Sequence, residues 1–181
     1  MQNISKKVLI IESSPRENSN SSFLASCFAK GSMEAGHEVK TISIGKMGLK
    51  PCLACYACTK IGHCIQDDGV NDILPLLLNA DVILFASPVY FYSMSGQLKC
   101  LIDRTVGIYE RIRSDIYIIL TAWDPEKSHL HNALEAIRGY TRDCLEDCKE
   151  KGYLLAAGLN DQGEAKDSEY AKVAYEMGRS C

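Results

Sequence analysis

Four cysteines, Cys52, Cys55, Cys58 and Cys64, follow one another as C-x2-C-x2-C-x5-C. Four thiolates in so short a segment can reach one centre. An all-cysteine set of four serves [4Fe–4S] clusters and also structural zinc. Free thiols or disulfides are the third reading, and the spacing leaves all three open. His63, next to Cys64, is a minor ligand candidate. The other five of the nine cysteines invite less. Cys144 and Cys148 stand i, i+4 and continue an apolar helical face, which favours core packing over metal binding. Cys27 faces inward on another helix, Cys100 lies in a third, and Cys181 is the last residue.

Two further segments could hold a ligand. Ser13 to Ser22 (SSPRENSNSS) leaves an apolar strand and opens a helix. A helix start offers unpaired N–H groups and the positive end of a dipole, which suit a phosphate. Ser14, Ser21 and Ser22 can add hydroxyls, Asn20 an amide and Arg16 a charge-assisted bond. The alternative is plain helix capping, for which Ser and Asn are common. Ser87 to Ser95 (SPVYFYSMS) carries three adjacent aromatics, Tyr90, Phe91 and Tyr92. They could flank a planar ring or form an interface patch.

These segments need a scaffold. The chain has 181 residues, 46% hydrophobic and 24% charged, which predicts one soluble globular domain over 1–181. Lys plus Arg number 20 against 23 Asp plus Glu, a net charge of −3, so no basic excess marks a nucleic-acid partner. No apolar run reaches membrane-span length. Met1 to Lys7 makes a poor secretory signal, and the expectation is a reducing cytoplasm.

Strands are expected at Val8–Ile11, His37–Ile44, Val82–Ala86, Ile116–Thr121 and Tyr153–Leu159. Helices are expected at Asn20–Ala35, Val70–Ala80, Gly96–Val106, Ser128–Lys151 and Ser168–Arg179. The long fourth helix would place Leu130, Leu134, Ile137, Tyr140, Cys144 and Cys148 on one face. Lys50 to Gly69 shows no periodicity. The alternation predicts an α/β three-layer sandwich. Right-handed crossovers would then gather the loops after strands one, three and four on one edge.

The chain resembles the NADPH-dependent FMN reductase family, and within it the iron–sulfur flavoproteins. The resemblance rests on Ser14-Pro15-Arg16 through Asn20-Ser21 and on Pro51-Cys52 through Asp67-Asp68. It rests also on Ser87-Pro88-Val89-Tyr90-Phe91 with Ser95-Gly96-Gln97-Leu98-Lys99 and Ile102-Asp103-Arg104. The blocks together are specific and span nearly the whole chain. The resemblance implies a flavodoxin-like fold with a five-stranded parallel sheet in the order 2-1-3-4-5 and FMN at its carboxyl edge. It implies that Ser14, Arg16, Asn20, Ser21 and Ser22 hold the FMN phosphate. It implies also that Pro88, Val89, Tyr90, Phe91, Tyr92 and Ser93 lie along the isoalloxazine, and that Thr121-Ala122-Trp123-Asp124 closes the other side. The compact cysteine motif is similar to that of the iron–sulfur flavoproteins. Two departures stand out. The family usually has glycine where Ser13 and Ser19 stand. It also has a small, glycine-rich loop where Trp123 stands, so Trp123 could stack on the flavin, block the nicotinamide position or pack at a subunit seam.

The expected function is an FMN-dependent oxidoreductase. It would pass electrons from NAD(P)H or a reduced carrier such as ferredoxin to a flavin, quinone or similar small acceptor. No side chain is singled out as acid or base, because the flavin carries the chemistry. The alternatives are an iron–sulfur flavoprotein in ferredoxin-linked electron transfer and a non-enzymatic cysteine-based redox or metal sensor. By resemblance a homodimer or homotetramer is expected, with no nucleic-acid or membrane partner.

Overall fold

A computed structural model describes residues 4–181. Met1 to Asn3, part of the segment judged a poor signal, lie outside the described residues. The strands are β1 (Lys7–Glu12), β2 (Glu38–Ser43), β3 (Val82–Tyr90), β4 (Ser93–Met94), β5 (Asp115–Thr121) and β6 (Lys149–Ala156). The helices are α1 (Asn20–Glu34), α2 (Ala57–Ile61), α3 (Val70–Asn79), α4 (Gly96–Arg104), α5 (His131–Thr141) and α6 (Glu169–Arg179). Among the described residues no helix is long and apolar enough to cross a membrane.

Five strands pair in parallel in the order β2-β1-β3-β5-β6. With the short β4 set aside, this is the expected 2-1-3-4-5 arrangement. Apolar runs such as Val8–Ile11 are buried because both sheet faces are covered. Alternate side chains serve opposite layers. Val8 and Ile10 pack with Leu24, Ala25 and Phe28 of α1 and Ala174 of α6. Leu9 and Ile11 pack with α3, α4 and α5 through Ile73, Leu98 and Leu134.

Three elements differ from the sequence expectations. The helix expected over Ser128–Lys151 begins as a 3-10 turn at Lys127–Leu130 and ends at Thr141. The charged amphipathic pattern continues beyond that point, but Lys149 and Glu150 are taken into β6, opposite Asp115 and Ile116. Sheet pairing therefore overrides helical periodicity. Cys144 is left exposed instead of packing in the core, while Cys148 stays half-buried against it. Strand β3 continues past Ser87-Pro88 to Tyr90 and turns back as β4. Pro88 is tolerated near the strand end, opposite Thr121. A short helix, α2, also forms inside the Lys50–Gly69 segment.

Candidate active site

The carboxyl ends of β1, β3, β5 and β6 open onto a cleft of ≈ 220 Å³. Nine of the residues singled out in the sequence line it: Ser14, Arg16, Asn20, Ser21, Pro88, Val89, Tyr90, Thr121 and Trp123. Four do not. Ser22 faces Ser19, whose hydroxyl donates to its Oγ at 2.9 Å. Phe91 and Tyr92 lie beyond the cleft in the β3–β4 turn, and Ser93 beyond it at the start of β4.

The floor of the cleft is the first turn of α1. Ser19 caps it, its Oγ accepting from the Ser22 N–H at 3.2 Å. The backbone N–H groups of Asn20 and Ser21, at the first two helical positions, have no partner within the helix. Arg16 and Ser14 also line the cleft, the first exposed and the second buried. The Asn20 amide is already engaged. Its Nδ2 donates to the Asp161 carbonyl at 2.9 Å, and its Oδ1 accepts from the Ala165 N–H at 3.1 Å. Asn20 therefore fastens the loop after β6 to the start of α1, and both ends of its side-chain amide are occupied.

That loop, Leu159 to Gln162, forms one wall, which the sequence reading missed. The sheet order carried the signal, since the loop after the last parallel strand opens at the same edge. Gly45 was missed as well. A Cβ there would stand 1.8 Å from the Ser14 carbonyl oxygen, so the close approach of two loops requires glycine.

The serines at positions 13 and 19 do not distort the turn. Ser19 has φ −67°, and the left-handed position is Asn18, with φ 49°. Ser13 is buried, and its Oγ donates to the Ala86 carbonyl at 3.1 Å. The Ser95 hydroxyl donates to Ser13 Oγ at 2.8 Å, and Ser95 also caps α4. Buried hydroxyls thus tie the first loop to the third.

The rim is aromatic. Phe91 and Tyr92 have φ 48° and 59°, as a two-residue type I′ hairpin demands. The turn holds Phe91 in solvent and sets the Tyr92 ring edge-on to His129 at 5.8 Å. Trp123, in the loop after β5, is 70% exposed. Its loop is braced, because Asp124 Oδ2 meets His129 Nδ1 at 2.7 Å and the Gly158 N–H donates to the Asp124 carbonyl at 2.9 Å. The Glu126 N–H and then His129 hold the Asp124 carboxyl below its usual value.

A second site lies at the far end of α4. Cys52, Cys55, Cys58 and Cys64 all line one small cavity of ≈ 10 Å³. All nine cysteines are unbridged. A Cβ on Gly107 would stand 3.1 Å from Cys58 Sγ, so Cys58 packs closely against this glycine. The Ala54 N–H donates to Cys52 Sγ at 3.4 Å, and Arg104 Nε donates to Cys64 Sγ at 3.2 Å. Among the described residues, no three His, Cys, Asp or Glu side chains close on a point that could hold a metal ion. His63 is exposed and turned to the Ile61 carbonyl. The chemistry of four thiols with N–H donors on two of them fits an iron–sulfur cluster, although the thiols do not stand in a closed ligand shell.

Among the described residues, every non-glycine residue with positive φ lies in one of these loops: Asn18, Ala54, Tyr56, Phe91 and Tyr92. Such conformations cost roughly 1–3 kcal/mol each and concentrate at functional sites.

Residues 6–138 match the family described as NADPH-dependent FMN reductase. The chain belongs to the NADPH-dependent FMN reductase family. Membership implies FMN, and the cleft suits it: two free N–H groups, two serine hydroxyls and a guanidinium at one end, and an aromatic rim at the other.

Among relatives of this reductase-family chain is an iron–sulfur flavoprotein of Methanocaldococcus jannaschii. It is 39% identical over 99 residues, 55% of this chain and 51% of the relative. An iron–sulfur flavoprotein of Methanosarcina thermophila is 35% identical over 100 residues, 55% and 52% of the two chains. The matches therefore span about half the length of these curated relatives. A solved NAD(P)H:quinone oxidoreductase from Methanothermobacter marburgensis shares the fold, with TM-score 0.77 at 17% identity over 98% of this chain and 97% of the other.

Proposed function

We propose that the chain, as one FMN-binding domain, is an oxidoreductase that takes electrons from NAD(P)H or a reduced carrier and passes them to a small planar acceptor. The observation that carries this reading is the cleft, where an anion-binding helix start and a broad aromatic rim meet at one sheet edge. When bound, FMN supplies both hydride and single-electron chemistry. In this reading the N–H groups of Asn20 and Ser21, with Ser14, Ser21 and Arg16, hold its phosphate. Pro88 to Tyr90 and Thr121 flank its ring. Ser22 supports the turn through Ser19 and does not touch the phosphate. Phe91, Tyr92 and Trp123 border the acceptor, and Ser93 closes the hairpin. Flavin, quinone and nitroaromatic acceptors share the flat shape such a rim would sandwich.

A second reading, an iron–sulfur flavoprotein linked to ferredoxin, is favoured by the four cysteines around one cavity. A [4Fe–4S] centre on Cys52, Cys55, Cys58 and Cys64 would admit electrons singly. Helix α4 connects the two sites. Ser95 at its start is bonded to the first loop, and Arg104 at its end to Cys64. Nine residues make that helix about 14 Å long. The exposed aromatic rim also supports a homodimer or homotetramer, since apolar rims of this kind are commonly covered. Anaerobic assays with NADH, NADPH and reduced ferredoxin test the proposal. Donor-linked bleaching of the flavin supports it, and the active donor selects between the readings. Thiol-dependent changes in shape without turnover by any donor would leave only the cysteine-sensor reading.

A further inference from the structure

Among the described residues Arg104 is the most confined charge, with a side chain 1% exposed. Buried arginines persist only when paired. Its Nη1 and Nη2 meet the two carboxylate oxygens of Asp68 at 2.9 and 3.1 Å. The same nitrogens donate to the carbonyls of Lys50 at 2.9 Å and Gln66 at 3.3 Å. Nε donates to Cys64 Sγ at 3.2 Å. All five guanidinium N–H donors thus have acceptors. Four of them clamp the two ends of the cysteine segment together, and the fifth is aimed at sulfur.

The four thiols are not equivalent. Cys64 receives a charged N–H and Cys52 a longer backbone one, while among the described residues Cys55 and Cys58 sulfurs accept none. Hydrogen bonds to cluster-ligating sulfurs favour the more negative, reduced state and raise the potential. Asp68 tempers this by cancelling much of the guanidinium charge.

We propose that Arg104, through its N–H bond to the Cys64 sulfur, sets the reduction potential of a centre held by Cys52, Cys55, Cys58 and Cys64, with Asp68 as its counterweight. The inference rests on the iron–sulfur reading of those cysteines. Arg104 is a positioning residue. It keeps its protons throughout, and reduction adds one electron to the centre without making or breaking a bond at Arg104.

The test is a redox titration, followed by electron paramagnetic resonance, of anaerobically reconstituted holoprotein. Wild type is compared with Arg104→Gln, Arg104→Lys and Asp68→Asn. Arg104→Gln is expected to weaken the preference for the reduced centre about tenfold, ~59 mV downward for a one-electron couple. Arg104→Lys keeps the charge without the fork and should fall by less. Asp68→Asn frees the guanidinium charge and should move the potential upward. Opposite signs cannot come from general loosening of the loop. If Arg104→Gln does not fold, the other two variants decide. An unmoved potential, or the same direction of shift in the Arg104 and Asp68 variants, overturns the inference and leaves the cluster reading intact. A wild-type protein that assembles no cluster on reconstitution overturns both.

Discussion

Asn20 binds the loop after β6 to the start of α1 through two hydrogen bonds, the shorter to the Asp161 carbonyl at 2.9 Å. One side chain thereby joins the first and last loops of the cleft, 141 residues apart in sequence. Asn20→Ala leaves the buried Ala165 N–H without its partner, at a cost of about 1–3 kcal/mol. The expected result is weaker FMN binding with faster amide exchange over residues 159–165. Fluorescence titration and exchange mass spectrometry check it. Wild-type exchange in that loop would show that Asn20 is no clamp.

Arg16 behaves in the opposite way. It is exposed and forms no ion pair among the described residues, so Arg16→Ala should leave the apoprotein as stable as wild type. A charge-assisted bond to phosphate is worth roughly 1.5–3 kcal/mol, so FMN affinity should fall about tenfold or more. Riboflavin, which lacks the phosphate, should bind wild type and variant alike. Equal FMN affinities in the two proteins would remove Arg16 from the site.

Gly45 does not line the cleft itself, yet its missing Cβ lets the loop after β2 approach Ser14, which does. Gly45→Ala must push the Ser14 backbone aside. Overpacking of this kind costs typically about 1–3 kcal/mol. Both melting temperature and FMN affinity should drop, in contrast to Arg16→Ala, where only affinity does. Calorimetry on apoprotein and holoprotein separates the two patterns.

Much of this arrangement was legible from residue types. The buried strands read as continuous apolar runs, and Ser19-Asn20-Ser21 opened a helix where the pattern required one. What escaped depended on distant pairing. Lys149 and Glu150 look helical locally, and only the open edge of β5 draws them into the sheet. Ser22 and Asn20 resemble phosphate ligands by type, but Ser19 and the Asp161 loop occupy their side chains first. The Leu159–Gln162 wall has no motif of its own and comes from strand order. Gly45 is visible only once Ser14 is seen against it.

The edge strand captured from the helix is held by an ion pair. Arg138 of α5 donates from Nε and Nη2 to the two carboxylate oxygens of Glu150 at 2.8 and 2.6 Å. These bonds hold the Glu150 carboxyl below its usual 4.5, against the opposing effect of burial. Its stabilising contribution is therefore complete above pH 4.5 and is lost as pH falls through the lower folded value. Glu150→Gln should cost about 1 kcal/mol at pH 7. The gap from wild type should close on acidification below pH 4.5. A gap of constant size from pH 7 to pH 3 would contradict the ion-pair account.

The central claim is a flavin bound in the cleft, and a cluster on the four cysteines is the second reading. The most direct measurement is the absorption spectrum of protein purified without oxygen, before and after a reductant and after added FMN. The account predicts two resolved flavin bands that bleach on reduction, and a broad reducible visible shoulder beneath them would add the cluster. Flavin bands over a flat baseline would keep the reductase and discard the cluster. A colourless protein that takes up no added FMN would contradict the account as a whole.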